Sequence, residues 1–152
     1  MNLRLATIED VSEIFRMAKA FHSVSPYKGI PIDDQYIIDS ISHALSQPRE
    51  AVIILLGLQH SKPVGLLVGA AGLCIFNGWK QAGELMFWID PEARKGILAK
   101  EMREVYEYWA KNIAGCRLAF LSALDNEMLP ALERLYKQSG YRPAERNFMK
   151  EF

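Results

Sequence analysis

Two cysteines in 152 residues, no excess of either charge and no apolar run of membrane-spanning length are the first constraints this sequence imposes. Cys74 and Cys116 each sit in an apolar run that reads as strand, which argues against a disulfide framework and a thiolate metal site. Buried thiols of a reducing compartment are expected instead. The 18 basic and 18 acidic residues cancel, so no global field draws the chain to nucleic acid or an anionic membrane. Any anion site has to be local. His22, His43 and His60 are scattered without ligand spacing, and no metal is expected. Neither a signal-type apolar core nor a spanning segment is found, which leads to the expectation of a cytoplasmic protein with no membrane partner. No repeat, low-complexity segment or linker interrupts the chain, so residues 1–152 are expected to form one domain.

What is present is an alternation of periods in a chain that is 50% hydrophobic. Leu3 and Leu5 alternate as in a short strand, and Thr7-x-x-Asp10 forms a capping-box pattern opening a helix with Val11, Ile14, Ala18 and Phe21 on one face. A loop over 23–31 follows, and Asp33 then caps a second helix that buries Ile37, Ile41, Ala44 and Leu45 and ends near Pro48. Residues 51–58 and 64–75 are β-rich runs joined by Gln-His-Ser-Lys-Pro, the pattern of a hairpin with a longer turn. After a break at 77–80, a strand over 83–89 feeds a helix burying Leu98, Met102, Val105, Trp109 and Ile113. A strand over 117–124, a helix over about 130–138 ended by Gly140 and an extended run over 141–152 complete the order β-α-α-β-β-β-α-β-α-β. The glycines Gly65, Gly69 and Gly72 read as a bulge or close packing, not as a nucleotide loop.

Glu84 to Ala99 carries the chemistry most directly. An apolar strand breaks at Pro91 and delivers the basic turn Arg94-Lys95-Gly96 to a helix start, where free N–H groups and the helix dipole favour an anion. A phosphate-bearing cofactor is the natural occupant.

The element order and two motifs resemble the Gcn5-related N-acetyltransferase (GNAT) superfamily over nearly the whole chain, in the small form common in bacterial and phage genomes. The first motif, Arg94-Lys95-Gly96-Ile97-Leu98-Ala99, resembles the family's acetyl-CoA pyrophosphate turn, with Ile97 standing where the family has its first glycine. The second, Tyr136-x-x-x-Gly140-Tyr141, resembles its closing segment without a gap. An asparagine usual two turns before the tyrosine is absent, since Leu129 and Pro130 occupy that stretch. The resemblance implies an α/β (α+β) GNAT fold, with a mixed, mostly antiparallel central sheet of roughly six to seven strands and helices on both faces.

The resemblance also implies acetyl transfer from acetyl-CoA to a primary amine by direct attack. Tyr136 would protonate the departing thiolate and Glu84 would be the general base, directly or through water. Glu84 is equally compatible with an ordinary strand-end residue. Backbone N–H groups of Phe87, Trp88 and Ile89, freed where two parallel strands splay apart, would hold the pantetheine arm and thioester carbonyl, and residues 94–99 the pyrophosphate. His22, Ser23 and Tyr27 in the first interhelical loop, with Asn77, are candidate acceptor contacts. A small amine and a protein amine are both compatible with these mixed walls, and so is a homodimer; nucleic acid is not expected. Two alternatives stand beside this reading: a GNAT-like binding or structural module without activity, and a protein-modifying acetyltransferase in phage–host conflict.

Overall fold

The computed structural model describes residues 2–152, which fall into two compact units divided after Ser122. The first unit is built on a five-stranded sheet in the order β1 (Leu3–Leu5), β2 (Val52–Gln59), β3 (Lys62–Leu73), β4 (Lys80–Ile89) and β5 (Leu118–Phe120). Every neighbouring pair is antiparallel except β4 and β5, which run parallel over Gln81–Gly83 and Leu118–Phe120. Helices α1 (Val11–Val24) and α2 (Asp34–Leu45) cover one face and α3 (Leu98–Tyr108) the other. The uninterrupted apolar run of β2 follows from burial on both sides: Ile54 and Leu56 pack with Ile14, Met17 and Ile41, while Ile53 and Leu55 pack with Met102 and Tyr106. No helix among the described residues is long and apolar enough to cross a membrane.

Local chemistry explains the element boundaries. The Asp10 carboxylate accepts from the Thr7 backbone N–H at 2.8 Å and takes both Arg4 guanidinium nitrogens at 2.7 Å, clamping β1 to the start of α1. The Arg4 hydrogen bonds bring its pKa down to about 2. Asp33 caps α2 by accepting from the Tyr36 N–H at 2.9 Å. The β2–β3 connection is tighter than the sequence pattern implies: His60 and Ser61, at φ 48° and 66°, make a two-residue turn whose twist matches that of the strands.

Small residues on the sheet set the height of α3. A Cβ at Gly57 or Gly65 would lie 3.0 or 2.9 Å from the Met102 sulfur, and one at Gly69 would lie 2.8 Å from the Tyr106 ring. Met102 and Tyr106, one helical turn apart, therefore sit directly on the glycine backbone. Beyond Tyr108 the helix widens into a π turn over Trp109–Ile113, where the Trp109 indole N–H donates to the Arg49 carbonyl at 2.6 Å. That turn shifts the helical phase, so Ile113, expected in the core, is exposed, while Ala110 is buried.

Two further expectations are corrected. The strand expected over 117–124 is only Leu118–Phe120, and Tyr141–Phe152 forms no strand, so the sheet has five strands where six or seven were expected. The final run has Pro143 and charges at Arg142, Glu145, Arg146, Lys150 and Glu151 but no alternating apolar stripe to bury. In the second unit, α4 (Leu129–Gln138) has Pro130 in its first turn and ends ahead of Gly140, which takes φ 89°.

The glycine contacts give a direct test. Gly69→Ala should lower unfolding free energy by about 1–3 kcal/mol because the buried Tyr106 ring must move. Gly72→Ala, whose Cβ meets nothing within 4 Å, should stay within about 0.5 kcal/mol. Urea denaturation of both variants checks the contrast.

Candidate functional site

The parallel ladder between β4 and β5 stops after three residues, and the site begins there. A bulge in β4 sets the geometry: Glu84 opposes Gly69 and Met86 opposes Val68, leaving Leu85 as an extra residue, 65% exposed. Glu84 thereby shares the α3-covered face with Gly69, while Met86 and Trp88 turn toward α1 and α2. The last parallel pair is Gly83 with Phe120. Past it, the Ser122 N–H donates to Glu84 Oε2 at 3.0 Å, and the Tyr106 hydroxyl donates to the Phe120 carbonyl at 2.9 Å. One side chain thus takes an N–H that β5 carries past the ladder, and another adds a donor at its last paired residue.

Burial of Glu84 raises its pKa to about 7, against the opposing pull of the Ser122 hydrogen bond. A carboxyl balanced there can take up and release a proton near neutrality.

The edge of β4 beyond Gly83 has no strand partner among the described residues. Which peptides face it follows from the pleat. The Asp90 N–H donates to the Val64 carbonyl at 2.8 Å, so Asp90 and Trp88 direct their peptide groups toward β3. Phe87 and Ile89 direct theirs to the free edge. Of the three residues expected to offer free N–H groups, Trp88 is therefore the exception. Its side chain is structural as well: the buried indole N–H donates to Asp90 Oδ1 at 2.8 Å. Asp90 also holds the Arg16 guanidinium at 2.9 and 3.1 Å. Burial pushes the Asp90 pKa up, but the Arg16 and Trp88 hydrogen bonds outweigh it and leave it lowered.

The basic turn follows β4 through a short 3₁₀ segment, Pro91–Ala93. Gly96 adopts φ 124°, which L residues rarely reach, although a Cβ there would meet open space. Glycine is needed at this position for conformation, one residue before the family's first glycine. Ile97 points outward, 65% exposed. The first backbone bond of α3 runs from the Glu101 N–H to the Ile97 carbonyl at 2.9 Å, and no side chain caps this end. The N–H groups of Leu98, Ala99 and Lys100 thus precede the intrahelical ladder, the usual condition for holding an anion. Arg94 is turned back: its Nε–H donates to the Ile89 carbonyl at 2.9 Å and its guanidinium lies 4.9 Å from the Trp88 ring centre. Lys95 is exposed beside it.

The expected acceptor contacts have local duties. His22 Nε2 donates to the Ile30 carbonyl at 2.9 Å, and the Ser23 hydroxyl to the Ala20 carbonyl at 2.7 Å. Asn77 accepts from the Trp79 N–H at 3.0 Å within the β3–β4 turn. Tyr27 leaves its ring half in solvent. Ser25, absent from the sequence reading, is the buried hub of this loop, donating to the His22 carbonyl and accepting from the Tyr27 N–H. Its signal was the Ser-Pro pair, a common turn opener. Tyr106 was also missed, though it lies one turn from Met102 on the buried stripe; Ser122 was missed because its bond to Glu84 comes from the backbone N–H, which every non-proline residue has.

In the second unit, the Tyr136-x-x-x-Gly140-Tyr141 spacing is that of a helix terminator. The Tyr141 N–H donates to the Tyr136 carbonyl at 3.0 Å and the Gly140 N–H to Lys137 at 3.1 Å. The Tyr136 and Tyr141 rings meet at 6.0 Å between centres. These are the paired hydrogen bonds and apolar contact of a Schellman motif, and they hold the buried Tyr136 side chain.

The sequence matches the family described as Acetyltransferase (GNAT) domain over residues 1–141, a span that runs through the division after Ser122. No curated protein matches it. Among solved structures, an integron cassette protein from the mobile metagenome of Cole Harbour Salt Marsh aligns with TM-score 0.78 at 18% identity, over 99% of this chain and 90% of its own. Ribosomal-protein-alanine N-acetyltransferase from Brucella melitensis biovar Abortus 2308 aligns at 0.73 and 16% identity over 100% of both chains. Aminoglycoside 6'-N-acetyltransferase from Acinetobacter haemolyticus aligns at 0.74 and 17% identity over 100% of this chain and 99% of its own. At these identities the likeness is one of fold.

The raised pKa of Glu84 makes stability depend on pH. Because the folded-state value, about 7, lies above the unfolded one, the folded protein binds more protons between them. This contribution to stability is full below about pH 4.5 and is lost as pH rises through 7. Glu84→Gln removes the titration, so its melting temperature relative to the parent should climb by several degrees between about pH 5 and about pH 8. Thermal unfolding followed by circular dichroism at both pH values checks the sign.

Proposed function

The chain belongs to the GNAT acetyltransferase family and is an N-acetyltransferase, and from that premise we propose that it transfers acetyl from acetyl-CoA to a primary amine with Glu84 as general base and Tyr136 as general acid. The observation that carries the reading is Glu84 at the fork of β4 and β5, balanced near neutrality and adjoining a free peptide edge. The residues suit the donor. The N–H groups of Phe87 and Ile89 offer an extended pantetheine chain a strand-like partner, and the uncapped amides after Gly96 offer a pyrophosphate a helix start.

Bound acetyl-CoA supplies an acetyl carbon activated as a thioester. Glu84, ionised above its pKa, removes a proton from the acceptor ammonium, directly or through one water, and frees the nitrogen lone pair. As nitrogen bonds to the carbonyl carbon, charge builds on the thioester oxygen, and the free N–H donors of β4 stabilise it. When the carbon–sulfur bond breaks, the Tyr136 hydroxyl gives its proton to the thiolate, and the second proton that the nitrogen sheds on becoming an amide restores the Tyr136 hydroxyl by way of solvent, leaving amide and free thiol. Tyr136 holds this role by its place in the α4 motif.

The acceptor reading is a primary amine, on a small molecule or a polypeptide. The substrates for which two structural neighbours are named, a ribosomal-protein alanine and aminoglycosides, bracket that range. The loop around Ser25 and the Asn77 turn shape the approach by holding backbone. Tyr27 is the exposed aromatic contact in that loop.

Acetyl-CoA should raise the melting temperature of the wild-type protein, and an amine panel followed by thiol release should yield turnover with at least one acceptor. With that acceptor, kcat/KM should rise with pH through about 7. Glu84→Gln should abolish this limb and lower kcat/KM by about 10²-fold or more above it. Tyr136→Phe should lower kcat by about 10-fold or more while leaving the acetyl-CoA thermal shift in place. No thermal shift and no thiol release from any amine would overturn the reading.

A further inference from the structure

We propose that Tyr106 is a positioning residue of the transfer site: by anchoring the Phe120 carbonyl from α3, it fixes where β5 departs from β4 and holds the Ser122 N–H against Glu84. The contacts close on themselves. Glu84 stands opposite Gly69 in the β3–β4 ladder. The missing side chain of Gly69 makes room for the Tyr106 ring, which would approach a Cβ to 2.8 Å. The Tyr106 hydroxyl donates to Phe120 at 2.9 Å, and two residues later Ser122 donates to Glu84 at 3.0 Å. Tyr106 has 0% exposure, so its ring has no free volume in which to follow a strand that drifts.

The coupling matters because the ladder offers no alternative. Among the described residues, no parallel pair beyond Gly83 and Phe120 holds β5 to β4. The end of β5 is then placed by what its peptide groups find, and Tyr106 supplies the acceptor's partner at the last paired residue. Gly69 on β3 stands opposite Glu84, the Ser122 N–H just past β5 donates to it, and Tyr106 on α3, close over Gly69, gives its hydroxyl hydrogen to the Phe120 carbonyl. The Ser122 hydrogen bond is the contribution that favours the carboxylate, against burial. Without the Tyr106 hydroxyl, the Phe120 carbonyl loses that donor, the exit of β5 relaxes, and Glu84 loses stabilisation of its charged form. Tyr106 thereby acts on the base without touching it.

The functional consequence rests on the proposed transfer reaction; the positioning itself does not. The test is a carbon-13 NMR titration of the glutamate carboxyls in wild-type protein and Tyr106→Phe, with the Glu84 signal assigned through Glu84→Gln and no acetyl-CoA present. Tyr106→Phe keeps the ring over Gly69 and should raise the Glu84 midpoint by about 0.5–1 unit. Faster amide exchange at Ser122 should accompany it. Gly69→Ala, which keeps the hydroxyl but displaces the ring, should shift the midpoint in the same direction, giving a second reading if Tyr106→Phe folds poorly. A midpoint unchanged in the folded variants overturns the proposal. If wild-type protein turns over no amine while the midpoint still shifts, the positioning role stands and the transfer reading fails.

Discussion

A backbone ladder that ends partway along a strand leaves peptide groups needing partners, and in this protein that need is concentrated where β5 leaves β4. The sheet spends three residues in parallel pairing and then divides. Glu84 takes the Ser122 N–H and Tyr106 supplies the Phe120 carbonyl. Both are side chains, so the end of β5 keeps its partners while the β4 edge beyond Gly83 stays open. The free edge of β4 and the protonation balance of Glu84 follow from this arrangement.

The bulge and the glycines make the fork buildable. An unbulged β4 would keep a single alternation from Ala82 to Ile89 and could not bring Glu84 and Phe87 to the same face. The extra residue, Leu85, resets the phase between them. On β3, glycine at 65 and 69 lets Met102 and Tyr106 rest on the sheet backbone, bringing the Tyr106 hydroxyl down to Phe120. The π turn beginning at Trp109 then lets the chain leave α3 with its indole bonded to Arg49 and its apolar stripe shifted. These departures from regular geometry lie along one path around the fork.

Two motifs carry structural duties beside the chemical ones proposed for them. Tyr136, Gly140 and Tyr141 form a helix terminator whose hydrogen bonds explain the spacing without reference to any reaction. The hydroxyl at Tyr136 is what the chemistry would add. In the basic turn, Gly96 carries the unusual dihedral and Arg94 splints the end of β4, so the groups left for the proposed anion are the amides of the helix start, with Lys95 beside them. In this chain the positive φ falls on Gly96, and Ile97 faces solvent.

The order of elements, both helix caps on the α1–α2 side, the buried faces of α1 and α2 and the basic turn before α3 were legible from the chain, because each depends on neighbours within a few residues. Periodicity, capping and turn chemistry are local. The family was legible too, through Arg94–Ala99 and Tyr136–Tyr141. The short β5, the absent final strand, the exposure of Ile113, the inward turn of Trp88 and Arg94, and the role of Tyr106 were not. Each of these depends on which backbone group finds a partner tens of residues away: Glu84 with Ser122, Tyr106 with Phe120, Trp109 with Arg49. Local propensity says that a glutamate or a tyrosine can hydrogen-bond. Tertiary structure decides with which group, and burial then sets how tightly Glu84 holds its proton.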